Sequence, residues 1–75
     1  MDRAAIVAKL GEIRTAARSE GHAELAAFFE KVEDLPSPKV GARVIAALNW
    51  LEGKPECVAF GTQLSMVAMN LKNLR

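Results

Sequence analysis

The sequence predicts an all-α protein: a single small domain of four helices, arranged as two consecutive helical hairpins in a bundle-like fold. Three observations lead to this fold class. Apolar residues recur three and four positions apart, which is the spacing of one helical face. Glycine and proline fall between these periodic segments, where helices stop and start. No segment alternates apolar and polar residues like a half-buried strand, and the chain has no Asn-Gly or Asp-Gly hairpin turn.

The first predicted hairpin comprises helices over about residues 3–19 and 22–34. Asp2 is a suitable N-cap for the first helix. Gly21 ends that helix, because glycine readily takes the left-handed conformation that closes a helix. The apolar face of the first helix is formed by Ile6, Leu10, Ile13 and Ala17. The apolar face of the second helix is formed by Leu25, Phe28, Val32 and Leu35, with Phe29 widening it.

The second predicted hairpin comprises helices over about residues 38–52 and 55–73. Proline disfavours the helical conformation of the residue before it, so "LPSP" forces a turn after the second helix. Ser37 then acts as N-cap, with Pro38 at the first helical position, where its missing N–H costs nothing. Gly53 ends the third helix, and Pro55 starts the fourth. The apolar side of the third helix is formed by Val40, Val44, Ala47 and Leu51, beside Ile45 and Leu48.

The composition is that of a small globular domain without covalent or metal cross-links. The chain has 75 residues, of which 51% are hydrophobic and 25% are charged. Its single cysteine, Cys57, cannot form an intramolecular disulfide, and Cys57 with His22 provides too few ligands for a structural zinc ion. We therefore predict neither a metal nor a cofactor, and a lone thiol suits a reducing cytoplasm. No secretory signal is visible, since Lys9 and Glu12 interrupt the apolar stretch at the N-terminus.

The charges balance overall but are unevenly placed. Ten Lys/Arg and nine Asp/Glu give a net charge of +1, which does not predict bulk attraction to nucleic acid or anionic lipid. Residues 1–19 carry a net charge of +2 and residues 20–34 a net charge of −4. We interpret this as two neighbouring helices of opposite sign that attract each other.

The fourth predicted helix contains a long uncharged segment, "CVAFGTQLSMVAMNL", over residues 57–71. Its 15 residues are fewer than the roughly 20 that a transmembrane helix needs, and polar residues interrupt it. We therefore predict no membrane span. One seam recurs at alternating spacings of three and four and consists of Cys57, Phe60, Leu64, Val67, Leu71 and Leu74. On a different side lie Val58, Met66 and Met69, which leaves the helix apolar on two sides.

A second apolar side predicts a surface for another protein or for a second copy of the chain. The candidate interaction residues are Val58, Phe60, Met66, Met69 and Trp50. The competing interpretation is that Met66 and Met69 fill an irregular core. Gly11, Gly41 and Gly61 fall inside predicted helices, which favours helices whose backbones approach closely.

Catalysis is not expected. The sequence has no glycine-rich nucleotide loop, no Gly-x-Ser-x-Gly and no His-Glu-x-x-His motif. Cys57 follows Lys54 and begins the fourth helix, where a thiol can become reactive, but its place in the apolar seam favours a buried structural cysteine. His22 is predicted to be a solvated turn residue. We therefore expect a small protein-interaction module, such as a regulator, adaptor or chaperone-like subunit.

A nucleic-acid-binding regulator is the alternative. The second and third predicted helices with their turn could form a helix-turn-helix, whose second helix enters a major groove. Lys39 and Arg43 lie one turn apart near the start of the third helix, and Asn49 lies further along it. These three residues are the candidate nucleic-acid contacts. The turn "EDLPSPK" fits poorly to the short glycine-containing turn of this motif.

Overall fold

A computed structural model of the chain describes residues 2–73, and over these residues it contains helices, turns and loops but no strand. The α-helices are α1 over Arg3–Ser19, α2 over Ala23–Ala27, α3 over Ser37–Leu51 and α4 over Val58–Lys72. Short 3₁₀ turns over Val32–Asp34 and Pro55–Cys57 precede α3 and α4. The prediction of an all-α fold with four helices is confirmed.

The helices pack as two hairpins, and α1 and α4 join them. α1 packs against α2, α3 packs against α4, and α1 also contacts α4. The core consists of the apolar faces that the spacing predicts for α1, α3 and most of α4. Its buried members include Ile6, Leu10, Ile13 and Ala17 from α1, Val40, Val44 and Ala47 from α3, and Phe60, Leu64 and Val67 from α4. Leu51 and Leu71 are partly buried at its edge, whereas Leu74 lies outside the described residues.

The ends of α1 follow the local rules. The Asp2 carboxylate accepts a hydrogen bond of 2.8 Å from the Ala5 N–H, which satisfies one of the free donors of the first turn. At the other end Gly21 has a φ of 84°, and the His22 N–H donates to the Ala17 carbonyl over 2.8 Å. This is the arrangement in which a glycine past the last turn closes the helix.

The second helix is much shorter than predicted, because it is interrupted after Ala27. Lys31 takes a left-handed conformation with a φ of 55°, and only the 3₁₀ turn Val32–Asp34 follows. In a continuous helix the Phe29 carbonyl would accept from the N–H of residue 33. Here the Val32 N–H donates to that carbonyl over 3.2 Å, and the Arg14 guanidinium of α1 donates to it over 2.8 Å. The interruption also reverses the predicted roles of two aromatic residues, since Phe29 is fully buried and Phe28 only partly.

The start of α3 also differs from the prediction. The helix begins at Ser37, one residue earlier than expected, and its N-cap is Pro36. The Ser37 hydroxyl makes no capping hydrogen bond. It accepts instead from the Arg3 guanidinium over 2.9 Å, and Arg3 also donates to the Leu35 carbonyl. One arginine of α1 thereby holds the turn between the two hairpins.

The opposite charges of the first two segments are paired, as the sequence predicts. Arg18 and Glu30 approach to 2.8 Å, and Arg14 and Glu33 to 3.4 Å. A hydrogen bond from its own backbone and the nearby Arg14 lower the pKa of the Glu33 carboxyl. These contacts fasten the irregular segment after α2 to α1.

Candidate interaction surface

The exposed large apolar side chains of the described residues all belong to the α3–α4 hairpin. The exposed fractions are 59% for Ile45, 70% for Val58, 60% for Met66 and 66% for Met69. No side chain of this kind lies on α1 or α2 within residues 2–73. The exposure of Met66 and Met69 rules out the interpretation that they fill the core.

A groove runs along the line where α3 and α4 meet. It consists of two depressions open to solvent, one toward the start of α3 and one toward the loop between the helices. We call this the α3–α4 groove, and its central lining consists of Gly41, Ile45, Leu48, Gly61, Ser65 and Ala68. These positions are three or four residues apart in each helix, so each set forms one helical stripe.

The glycines of this groove are not required by packing within the chain. A Cβ at Gly41 would meet no other atom within 4 Å, and one at Gly61 would lie 3.9 Å from the Leu51 Cδ1. Glycine inside a helix costs about 1 kcal/mol relative to alanine. The prediction that Gly41 serves close helix packing is therefore wrong. The residue instead leaves the floor of the groove open.

The predicted interaction residues divide into two groups. Val58 lines the depression near the loop between α3 and α4. Met69 follows Ala68, which lines the other depression, and Met66 lies further round the same helix. Phe60 is only 5% exposed. The prediction that Phe60 belongs to the interaction surface is wrong. Phe60 lies three residues after Cys57 and four before Leu64, so it belongs to the buried seam.

Trp50 lies on another side of the molecule and links α3 to α2. Its indole N–H donates to the Glu24 carboxylate over 2.9 Å. Its ring meets the edge of Phe28 with centroids 6.4 Å apart, and the Lys54 ammonium lies 4.8 Å from the ring centroid. These three contacts occupy the side chain, so Trp50 is not part of the groove.

We define the docking surface as the α3–α4 groove together with Ile45, Val58, Met66 and Met69. Ile45 is the residue that the sequence reasoning missed. Its spacing placed it beside the apolar stripe of α3, and only the position of α4 leaves it exposed. The signal available in the sequence was that Ile45 is an apolar residue outside the central apolar stripe of α3.

The candidate nucleic-acid contacts do not form a helix-turn-helix. α2 ends at Ala27 and α3 begins at Ser37, a connection far longer than the three or four residues of that motif. Lys39, Arg43 and Asn49 are all exposed. At 100° per residue, Asn49 lies about 120° round the helix from Arg43, so the two side chains point in different directions.

Cys57 and His22 form a partly buried contact where α4 begins. The Cys57 Sγ lies 3.6 Å from the His22 Nε2, and the His22 ring meets the edge of Phe60 with centroids 6.0 Å apart. His22 is thus half-buried and not the solvated residue predicted. Burial raises the pKa of the Cys57 thiol, and the negative charges of Glu56 and Glu20 raise it further. The thiol form is therefore favoured, which opposes nucleophilic reactivity.

Residues 2–73 contain no group of three or more His, Cys, Asp or Glu side chains placed to hold a metal ion. Within the same residues, no helix combines the length and the hydropathy required to cross a bilayer. Comparisons with known protein families, with curated proteins and with solved structures found no match to this chain.

Proposed function

We propose that this chain is a small helical interaction module that binds another protein through the docking surface. The observation that carries the proposal is the segregation of all four exposed large apolar side chains of the described residues to the α3–α4 hairpin. Contiguous exposed apolar surface is characteristic of protein-binding sites. Its exposed methionines are flexible and polarizable, so they adapt to the shape of a partner.

The proposal assigns the protein a role in binding and not in catalysis. Cysteine is the most nucleophilic of the common side chains. Here Cys57 is buried, and its raised pKa disfavours the thiolate. A single buried thiol also supports a location in a reducing compartment such as the cytoplasm.

Site-specific photocrosslinking in cells tests the proposed surface. A photoreactive amino acid in place of Met69 should give a covalent adduct of defined mass. The same residue in place of the exposed Ala8 of α1 is the matched control and should give none. Met66→Glu, added to the Met69 probe, should reduce the adduct while circular dichroism still reports folded helices. Equal labelling from both positions, or loss of helicity in the variant, contradicts the proposal.

A nucleic-acid-binding role is the second candidate, and one observation favours it. Lys39 and Arg43 are exposed and make no ion pair with another described residue. Anisotropy of a labelled DNA duplex separates the two functions. For each phosphate contact, the association constant for DNA falls roughly tenfold when the salt concentration rises tenfold. DNA binding through several phosphates should therefore weaken steeply between about 50 and 200 mM salt. Lys39→Ala and Arg43→Ala should leave the photocrosslinked adduct unchanged if the docking proposal holds.

A further inference from the structure

The segment after α2, residues 28–35, is irregular although its sequence favours a helix. Residues 23–35 contain neither glycine nor proline, and most of them are alanine, leucine, glutamate or lysine, which are good helix formers. One apolar face of a continuous helix would be formed by Leu25, Phe28, Phe29 and Val32. The local sequence therefore gives no reason for α2 to end at Ala27.

The backbone of this segment is held in a form that is weaker than an α-helix. Lys31 has a φ of 55°, a left-handed conformation that brings the Cβ of a non-glycine residue too close to the following carbonyl. The N–H groups of Phe28, Glu30 and Leu35 donate to carbonyls three residues back, over 3.2, 3.3 and 3.1 Å. An α-helix uses carbonyls four residues back, with better geometry. Backbone of this kind is characteristic of hinges and switch regions.

Contacts with α1 accompany the irregular form. The Arg14 guanidinium donates over 2.8 Å to the Phe29 carbonyl, which in a continuous helix would accept from the Glu33 N–H. Arg14 also lies 3.4 Å from the Glu33 carboxylate, and Arg18 lies 2.8 Å from that of Glu30. The local preference for a helix and the contacts with α1 therefore oppose each other in this segment.

The end of the segment leads directly into the docking surface. Arg3 donates to the Leu35 carbonyl and to the Ser37 hydroxyl. Ser37 and Ala68 line the same depression of the α3–α4 groove. A change of φ at Lys31 redirects the residues that follow it, so a continuous helix would move Leu35 relative to Arg3. The path of the chain into α3 would then change as well.

We propose that residues 28–35 are a hinge with two states, the interrupted form of the structure and a continuous α2 that reaches Asp34. Arg14 favours the interrupted form, because it binds a carbonyl that the continuous helix needs. The continuous form changes the position of Ser37 and so reshapes the docking surface. That consequence rests on the proposed docking function, whereas the two states of the hinge do not. The minor state of such an equilibrium has a population of about 0.1–10%.

Nitrogen-15 relaxation dispersion of the full chain tests the hinge, because it detects exchange between states in microseconds to milliseconds. The amides of residues 28–35 should show exchange, and those of residues 6–17 in α1 should not. Lys31→Gly should suppress the exchange, since glycine takes the left-handed conformation readily and stabilises the interrupted form. Lys31→Ala removes the same side chain but keeps a Cβ, so this matched control should retain the exchange.

Arg14→Met tests the role of the arginine. The ratio of the continuous to the interrupted form should rise roughly tenfold, the equivalent of one hydrogen bond from a charged donor. The Cα chemical shifts of residues 28–34 should move toward helical values. Arg43→Met makes the same change on α3 and should leave both the exchange and the shifts of these residues as in the wild type.

The effect on the docking surface has its own readout. Gly41 and Ala68 line the depression that contains Ser37. Their amides should exchange at the same rate as those of the hinge and should lose this exchange in Lys31→Gly.

The outcomes separate the hinge from its consequence and from the docking function. Absence of exchange over residues 28–35 in both the wild type and Arg14→Met overturns the hinge. Exchange that persists in Lys31→Gly overturns the role of the left-handed Lys31. Exchange in the hinge without exchange at Gly41 and Ala68 overturns the effect on the docking surface. None of these results depends on the photocrosslinked adduct, so loss of the docking function would leave the hinge standing.

Discussion

The two hairpins use their charged and apolar residues differently. In the first, Arg14 and Arg18 pair with carboxylates after α2, and the large apolar side chains are buried or half-buried. In the second, Lys39, Arg43 and Lys72 form no ion pair with a described residue, and Ile45 and Met69 are exposed. The first hairpin pairs or covers these side chains within the chain, whereas the second leaves them exposed, and the proposed function is that a partner covers them.

This difference separates stability from binding. A residue whose contacts are all intramolecular affects folding when it is changed. A residue that faces solvent affects only the association in which it takes part. Substitutions in the first hairpin should therefore act on the free energy of unfolding, and those on the docking surface should act on complex formation.

The largest effect is expected at Phe29. Phe29→Ala should cost about 3–5 kcal/mol, because it leaves a cavity in the core. Domains of this size rarely have more than about 3–5 kcal/mol of stability, so this variant should be largely unfolded. Phe29→Leu should remain folded with a smaller loss, of about 1 kcal/mol. Met69→Ala, measured by urea unfolding of dilute protein, should lie within about 0.5 kcal/mol of wild type. Equal losses at Phe29 and Met69 would contradict the division between the hairpins.

A smaller effect is expected from Arg14, which donates to the backbone where the second helix is interrupted. Arg14→Met removes the charged donor to the Phe29 carbonyl, which keeps the bond from the Val32 N–H, and it removes the partner of Glu33. The loss should be about 1–2 kcal/mol, the usual contribution of a hydrogen bond from a charged donor. Arg43→Met on α3 is the matched control, and it should leave the urea midpoint unchanged because Arg43 is exposed and has no ion pair with a described residue. A midpoint that moves equally in both variants would refute the role given to Arg14.

The smallest effect is a dependence of stability on alkaline pH, which originates at Cys57. Its pKa is raised in the folded chain, so the protonated thiol stabilises the fold at any pH below the unfolded value of about 8.5. That contribution is lost as the pH rises above 8.5 toward the folded pKa. The sequence has no tyrosine, so no other side chain ordinarily titrates between histidine and lysine.

Thermal unfolding of wild type and Cys57→Ala between pH 7.5 and 9.5, a range centred on the ordinary thiol pKa, measures this contribution. The melting temperature of the wild type should fall with pH more steeply than that of the variant. Parallel curves would mean that the thiol titrates alike in the folded and unfolded chains. Only the slopes are compared, since removing the side chain also changes the packing around His22.

Sequence periodicity predicted the parts of the fold that depend on neighbouring residues. The α1 stripe, the cap at Asp2 and the stop at Gly21 each follow from residues within one or two helical turns. The α4 seam from Cys57 to Val67 is buried as its spacing indicates. In the candidate site, the second apolar side of α4 was predicted, and Val58, Met66 and Met69 are exposed there.

Features that depend on distant residues were not predictable in this way. Where the second helix is interrupted, the Phe29 carbonyl accepts from Arg14, which lies 15 positions away. Trp50 was assigned to the surface because its contact with Glu24, 26 positions away, is invisible in a local pattern.

The spacing of apolar residues indicates which side of a helix is apolar. It does not indicate which of the other helices covers that side. The seam and the second stripe of α4 are both apolar in the sequence, and packing against α1 and α3 buries the seam. The same packing leaves Ile45 exposed and leaves the α3–α4 groove unfilled at Gly41. Helix position and polarity thus depended on short-range hydrogen bonding and spacing, whereas the choice of the exposed apolar face depended on contacts between helices.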